Sequence, residues 1–159
     1  MNTHDEAGDP GEHLWFMNTW VTIRRPSSSA ADGVSIIEHH MPYGDSPPLH
    51  VHHDEDEVFH VLEGAVRVQV GGNIQEFAAG QTFVAPRGTP HTFKVTSPEG
   101  LRCLTLTFGA GFETLVREFG RPIGAMALPP AAEPTPEMIA SLTAVAGRNG
   151  IDILGPPLA

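Results

Sequence analysis

Residues 44–64 read GDSPPLHVHHDEDEVFHVLEG and concentrate histidine and acidic side chains in one short segment. His50 and His52 are separated by one residue on an extended run, so both side chains project to the same side of a strand. After the acidic run 54–56, Glu57 opens the next apolar run and can point back to the same spot. Two imidazoles and one carboxylate that converge in this way form a ligand set for Fe, Mn, Ni, Co, Cu or Zn.

A second stretch supplies a candidate fourth ligand. Residues 80–91 read GQTFVAPRGTPH, which predicts a strand, a Pro/Gly turn and a returning strand that begins at His91. In a closed barrel this hairpin can lie beside the first segment and bring His91 to His50, His52 and Glu57. We therefore predict that these four side chains hold one divalent transition-metal ion per chain. Solvated loop histidines are the competing interpretation.

The two stretches resemble the two signature motifs of the cupin superfamily. The first motif is matched by Gly44, His50, His52, Glu57 and Gly64, and the second by Gly80, Pro86, Gly88 and His91. The chain departs from the second motif at Val95, where the family often has asparagine. The resemblance covers roughly residues 34–110. It implies a cupin-type double-stranded β-helix (jelly-roll) barrel, with the metal ion inside and a tendency to form a homodimer.

The rest of the sequence also indicates an all-β fold, because short apolar runs alternate with turns rich in its 17 glycines and 15 prolines. We predict strands over residues 15–25, 34–41, 49–52, 57–62, 66–70, 74–77, 82–85, 91–95 and 101–108. The expected organisation is a flexible N-terminal tail over residues 1–13, a cupin β-barrel over 14–110 and a C-terminal helical extension over 111–159.

The extension is predicted to contain two short helices. The apolar face of the first is formed by Phe112, Leu115, Val116 and Phe119, and Gly120 ends it. A Pro/Ala linker follows at 128–134. Thr135 is the predicted N-cap of the second helix, with Pro136 at its first position and Gly150 at its end. We expect both helices to pack on the exterior of the barrel.

Charge and composition exclude several classes of function. The formal net charge is −10, which disfavours nucleic-acid binding and anionic membrane surfaces. No apolar run reaches the length of a membrane span, and residues 1–12 do not resemble a secretory signal. The default expectation is therefore a cytoplasmic protein.

Cys103 is the only cysteine, which excludes an internal disulfide, and we expect it to be a buried small hydrophobe.

Alternation along the strands predicts the lining of a substrate pocket. Phe59 is two residues after Glu57 and Phe93 is two residues after His91, so both are predicted to face the barrel interior like those candidate ligands. Met41 and Tyr43 are further candidates for substrate contact at the rim. Other candidates for the rim or a lid are Trp15, Phe16 and Trp20. For each of these residues an ordinary place in the hydrophobic core is the competing interpretation.

The remaining histidines carry weaker hypotheses. His53 and His60 should point away from the candidate metal site, because each is out of phase with its ligands. His39 and His40 end a strand, and one of them is a candidate for the inner face. The acidic run 54–56 is expected to form a solvated turn.

The chain is similar to single-domain cupins grouped with quercetin 2,3-dioxygenase. This implies a mononuclear non-haem dioxygenase that acts on a flavonol-like or other enolisable aromatic small molecule, with O₂ as a candidate co-substrate and Glu57 as the general base. The alternative is a non-redox cupin: an isomerase, a polyketide-type cyclase or a small-molecule binding protein whose metal only anchors the ligand. The ligand set does not separate the two classes, because Zn would fill the same site.

Overall fold

The computed structural model describes residues 11–159, so most of the tail expected over 1–13 lies outside the described residues. Glu12 and His13, which were expected to belong to that tail, begin the first strand. The strands are β1 (Glu12–Phe16), β2 (Thr19–Arg25), β3 (Val34–Met41), β4 (Pro48–His52), β5 (Glu57–Glu63), β6 (Ala65–Val70), β7 (Asn73–Ala78), β8 (Thr82–Ala85), β9 (His91–Val95), β10 (Leu101–Phe108), β11 (Arg121–Pro122) and β12 (Ile151–Pro157). The helices are α1 (Gly111–Phe119) and α2 (Pro136–Arg148), with a 3-10 turn at Ser27–Ser29.

The strands form two antiparallel sheets. One has seven strands in the order β11-β1-β2-β3-β10-β5-β8, and the other has five in the order β12-β4-β9-β6-β7. The chain crosses repeatedly from one sheet to the other, for example between β4 and β5 and again between β9 and β10. This is the jelly-roll arrangement, and the predicted all-β barrel with short C-terminal helices is confirmed.

Alternating side chains of both sheets fill the barrel interior. On β5, Phe59 and Val61 are buried while Val58 and His60 are only partly buried, as a period of two requires. Phe93 on the facing sheet belongs to the same apolar cluster. Cys103 is buried as expected, and burial raises the pKa of its thiol to about 12, so the thiolate is scarce at neutral pH.

The strand predictions differ from the structure over residues 15–25 and in the extension, where neither β11 nor β12 was predicted. The single strand expected over residues 15–25 is two strands, because the chain turns at Met17 and Asn18, with Met17 in the left-handed region at φ 54°. The turn contains neither glycine nor proline, so the sequence carries no strong signal for it. The strand β12 was not predicted because Gly155, Pro156 and Pro157 indicate a turn. It lies at a sheet edge, where proline is tolerated.

The extension contains both predicted helices. Thr135 caps α2, since its side chain accepts a hydrogen bond from the backbone N–H of Met138 at 3.2 Å, and Pro136 is the first helical residue. The helix α1 ends before Gly120, also as predicted. Neither helix in residues 11–159 combines the length and apolar character needed to cross a bilayer.

Two motif glycines provide a matched test of backbone crowding. Gly64 has φ +90°, and a Cβ there would collide with the carbonyl oxygen of Gly100. Gly80 has a similar φ of +86°, but a Cβ there would meet nothing within 4 Å. Both alanine substitutions incur the cost of a left-handed conformation, about 1–2 kcal/mol. Only Gly64→Ala adds a steric clash with backbone.

We therefore expect Gly64→Ala to lower the free energy of unfolding by at least about 1 kcal/mol more than Gly80→Ala does. Urea denaturation of the two variants and the wild type measures the difference. Equal losses in the two variants would show that crowding at Gly64 is unimportant.

Candidate metal centre

Three imidazoles of the candidate site come from the five-stranded sheet. His50 and His52 lie on β4 and His91 lies on β9, and His50 is the direct cross-strand partner of His91. Their ring centroids are 4.3 Å apart. Glu57 reaches the same place from β5 in the other sheet. One ligand atom from each of the four side chains lies within 4.8 Å of all the others, so the structure brings the four predicted residues together.

Both strands of the first motif contribute, but they do not form a hairpin. The acidic segment between them connects the two sheets, because β4 belongs to the five-stranded sheet and β5 to the seven-stranded sheet. The imidazoles and the carboxylate therefore face one another across the barrel interior.

Hydrogen bonds fix the same tautomer in all three imidazoles. The Nδ1 atom of His50 lies 2.7 Å from the carbonyl oxygen of Pro48, and Nδ1 of His91 lies 3.1 Å from that of Thr89. Nδ1 of His52 lies 2.9 Å from a carboxylate oxygen of Glu55. A carbonyl or ionised carboxylate oxygen only accepts, so each Nδ1 carries the proton and donates it. When the ring is neutral, its Nε2 lone pair is then available to a metal ion.

The Glu57 carboxylate completes this set. It is 2% exposed, and its Oε2 lies 2.7 Å from Nε2 of His91 and 3.1 Å from Nε2 of His52. Two ligands about 2.1 Å from one ion and at right angles would be separated by about 3 Å, so these spacings suit neighbouring ligands of a transition metal. The donor set and the locked tautomers therefore fit a divalent ion.

Burial and neighbouring charges shift the pKa values of the candidate ligands. Burial alone would raise the pKa of Glu57, but the adjacent imidazoles, that of His52 above all, hold it at about 2. Burial lowers the pKa of His50 to about 4, reinforced by His91. Burial also acts to lower the pKa of His52, but the carboxylates of Glu57 and Glu55 outweigh it and raise the pKa. Glu57 is therefore ionised at neutral pH, as a metal ligand must be.

Glu55 was expected to lie in a solvated turn, and this expectation is wrong. Its side chain is 3% exposed. The same carboxylate oxygen that meets His52 also accepts the backbone N–H of Phe112 at 2.7 Å. A run of three acidic residues is usually solvated, and the helix that covers this one lies more than fifty positions later in the chain. The local sequence therefore carries no signal that Glu55 is buried.

The candidate metal centre opens into a cavity of about 610 Å³, a size typical of small-molecule sites. Four predicted contact residues line it, namely Met41, Tyr43, Phe59 and Phe93. Tyr43 is 65% exposed and marks the rim, whereas the other three are buried. Of the further rim candidates, Phe16 lines this cavity. Trp15 and Trp20 are not among its lining residues, and Trp20 stacks on His40 instead.

The C-terminal extension, which was expected to pack on the exterior of the barrel, also forms part of the cavity wall. Phe112 and Leu115 of α1 and Leu142 of α2 line the cavity together with residues of β12. Linker residues that include Leu128 and Pro134 close another side. The helical periodicity identified these apolar faces, but periodicity does not say which surface a face covers.

One histidine outside the ligand set also borders the cavity. His39 is 5% exposed, and its ring stacks on Phe112 at a centroid distance of 5.7 Å. Within residues 11–159 its Nε2 has no hydrogen-bond partner, and burial lowers its pKa to about 4. His53 and His60 lie outside, where they bond to Asp152 and Thr82 respectively.

Comparison with known proteins agrees with this architecture. A family model described as the cupin domain matches residues 37–107. Quercetin 2,3-dioxygenase from Bacillus subtilis (strain 168) is 30% identical over 148 residues, which cover 92% of this chain and 44% of that protein. The segment over residues 37–107 is therefore a cupin domain. The chain spans less than half the length of this relative.

Solved structures show the same cupin fold. A predicted oxalate decarboxylase from Thermotoga maritima superposes with a TM-score of 0.56 at 19% identity, covering 68% of this chain and 98% of that chain. The cupin domain of Schizosaccharomyces pombe Cnp3 gives a TM-score of 0.55 at 19% identity, covering 70% of this chain and 79% of that chain. At these identities the likeness concerns the fold alone.

Removal of one ligand tests the candidate site. We expect His91→Ala to lose most of the bound divalent metal, because it removes a donor that is 2% exposed and in contact with Glu57. His60→Ala is the matched control, since His60 faces outward on β5. Metal content after dialysis is measured by elemental analysis. Full metal retention in His91→Ala would exclude it as a ligand.

Proposed function

We propose that this cupin is a metal-dependent, mononuclear non-haem dioxygenase that acts on a flavonol-like or other enolisable aromatic small molecule. The observation that carries the proposal is the position of the three Nε2 atoms and the Glu57 carboxylate beside a largely apolar cavity of about 610 Å³. The 30% identity to a quercetin 2,3-dioxygenase supports the same class of reaction. His50, His52, Glu57 and His91 would hold the ion.

Glu57 is proposed as both ligand and general base. A carboxylate has two oxygens, so one can leave the ligand set and accept the proton of a substrate hydroxyl. Its ionised state at neutral pH meets the first requirement of that role. The bound divalent metal would supply Lewis acidity that stabilises the deprotonated oxygen, together with reactivity toward O₂.

The cavity wall is proposed to hold the aromatic rings of the substrate. Phe59 and Phe93 pack edge to face at 5.9 Å near the ligands, and Met41 lies on the same wall. Such a wall binds a flat apolar ligand through buried surface and excludes water from the reacting oxygen. Tyr43 at the rim is positioned to contact the outer end of the substrate.

Oxygen consumption tests this proposal. Protein loaded in turn with Fe, Mn, Ni and Co is incubated with a panel of flavonols, and O₂ uptake is followed with an electrode. We expect uptake with at least one metal and a loss of about 100-fold or more in Glu57→Gln at matched metal content. Glu63→Gln is the control, because Glu63 lies at the exposed end of the same strand.

The same experiment separates the alternative class. Flavonol binding detected by absorbance, without O₂ uptake for any of the four metals, would contradict the dioxygenase and favour a non-redox cupin. Unchanged uptake in Glu57→Gln would exclude Glu57 as the base. The cytoplasmic location and the homodimer implied by the family stay predictions.

A further inference from the structure

Glu55 connects a candidate metal ligand to the cavity wall. Its Oε1 receives two hydrogen bonds, one from Nδ1 of His52 at 2.9 Å and one from the backbone N–H of Phe112 at 2.7 Å. His52 would ligate the ion, and Phe112 lies in the first turn of α1 with its ring against the cavity. One buried carboxylate therefore joins the inside of the barrel to the extension.

The net charge of the metal-bound site also points to Glu55. Three neutral imidazoles and the Glu57 carboxylate leave a bound dication with a net charge of about plus one in a buried environment, which is costly. The Glu55 carboxylate, one imidazole ring away, balances that charge. Its second oxygen, Oε2, is buried and has no hydrogen-bond partner within residues 11–159. A buried carboxylate oxygen without a donor is stabilised by a nearby cation.

We infer that Glu55 is a positioning residue of the metal centre: it orients His52, balances the charge of the ion and ties metal occupancy to the α1 wall of the cavity. The inference rests on the metal site of the proposed function. A metal bound at Nε2 of His52 makes its Nδ1–H a stronger donor, which strengthens the bond to Glu55. Because Phe112 donates to the same oxygen, the first turn of α1 is held in the same network.

The charge-removing variant Glu55→Gln tests this role, since glutamine keeps an acceptor oxygen but loses the negative charge. We expect the affinity for Co²⁺, measured by titration of its visible absorption bands, to fall about 10- to 100-fold. Glu113→Gln is the matched control. Glu113 is an equally buried carboxylate on α1, but it accepts hydrogen bonds from the backbone N–H of Ser27 and from the guanidinium of Arg117. We expect that variant to lose stability while its Co²⁺ affinity stays within about twofold of the wild type.

The outcomes distinguish a failure of the proposed metal site from a failure of the proposed role of Glu55. If the wild type fails to bind Co²⁺, the proposed metal site itself is wrong. If the wild type binds and Glu55→Gln binds equally well, the role of Glu55 is overturned. An equal loss of affinity in Glu55→Gln and Glu113→Gln would also overturn it, because general damage to α1 would then explain both.

A measurement on the wild type keeps the inference testable if Glu55→Gln does not fold. Hydrogen exchange at the Phe112 amide is followed with and without Co²⁺. We expect the bound ion to slow this exchange severalfold more than it slows exchange at the Met138 amide, which is bonded to Thr135 in α2. Equal rates at Phe112 with and without bound Co²⁺ would overturn the link to α1.

Discussion

The direct pairing of His50 with His91 on neighbouring antiparallel strands is the constraint on which the candidate site depends. Cross-strand partners project to the same face of a sheet, so this register places the two imidazoles side by side. His52 joins them because it is two residues further along β4. A slip of one residue between β4 and β9 would turn one strand's imidazoles out of the barrel. The chemistry therefore depends on backbone register as well as on ligand identity.

The ligands and much of the fold are predictable from the sequence because they follow local rules. The His-x-His spacing fixes a common face for His50 and His52, and the same alternation places Phe59 and Phe93 inside. The helices were also recognisable, since Thr135 and Pro136 mark a helix start. In each case residues close in the chain decide the outcome. His91 lies on a separate stretch of the chain, so its prediction also required the expectation that the strands close into a barrel.

The missed features depend on contacts between distant parts of the chain. The residues next to Glu55 in the sequence do not indicate that it is buried. Besides His52, its hydrogen-bond donor is the backbone N–H of Phe112, which lies in a helix that follows β10. The same helix carries Phe112 and Leu115 to the cavity, whereas an amphipathic pattern only shows that one face is covered. The turn at Met17 and Asn18 contains neither glycine nor proline, the strongest turn signals. These are tertiary effects that override local propensity.

The pairing of β12 with β4 affects how and when the barrel is completed. The strand β4 lies between β12 and β9, and without β12 its outer edge would expose unpaired N–H and C=O groups beside the histidines. Such an edge invites association with other chains. On the ribosome, β4 must wait for about a hundred further residues before this neighbour is synthesised. Until then, one edge of β4 in the nascent chain is unpaired and can associate with other chains, whereas in the finished protein β12 covers that edge.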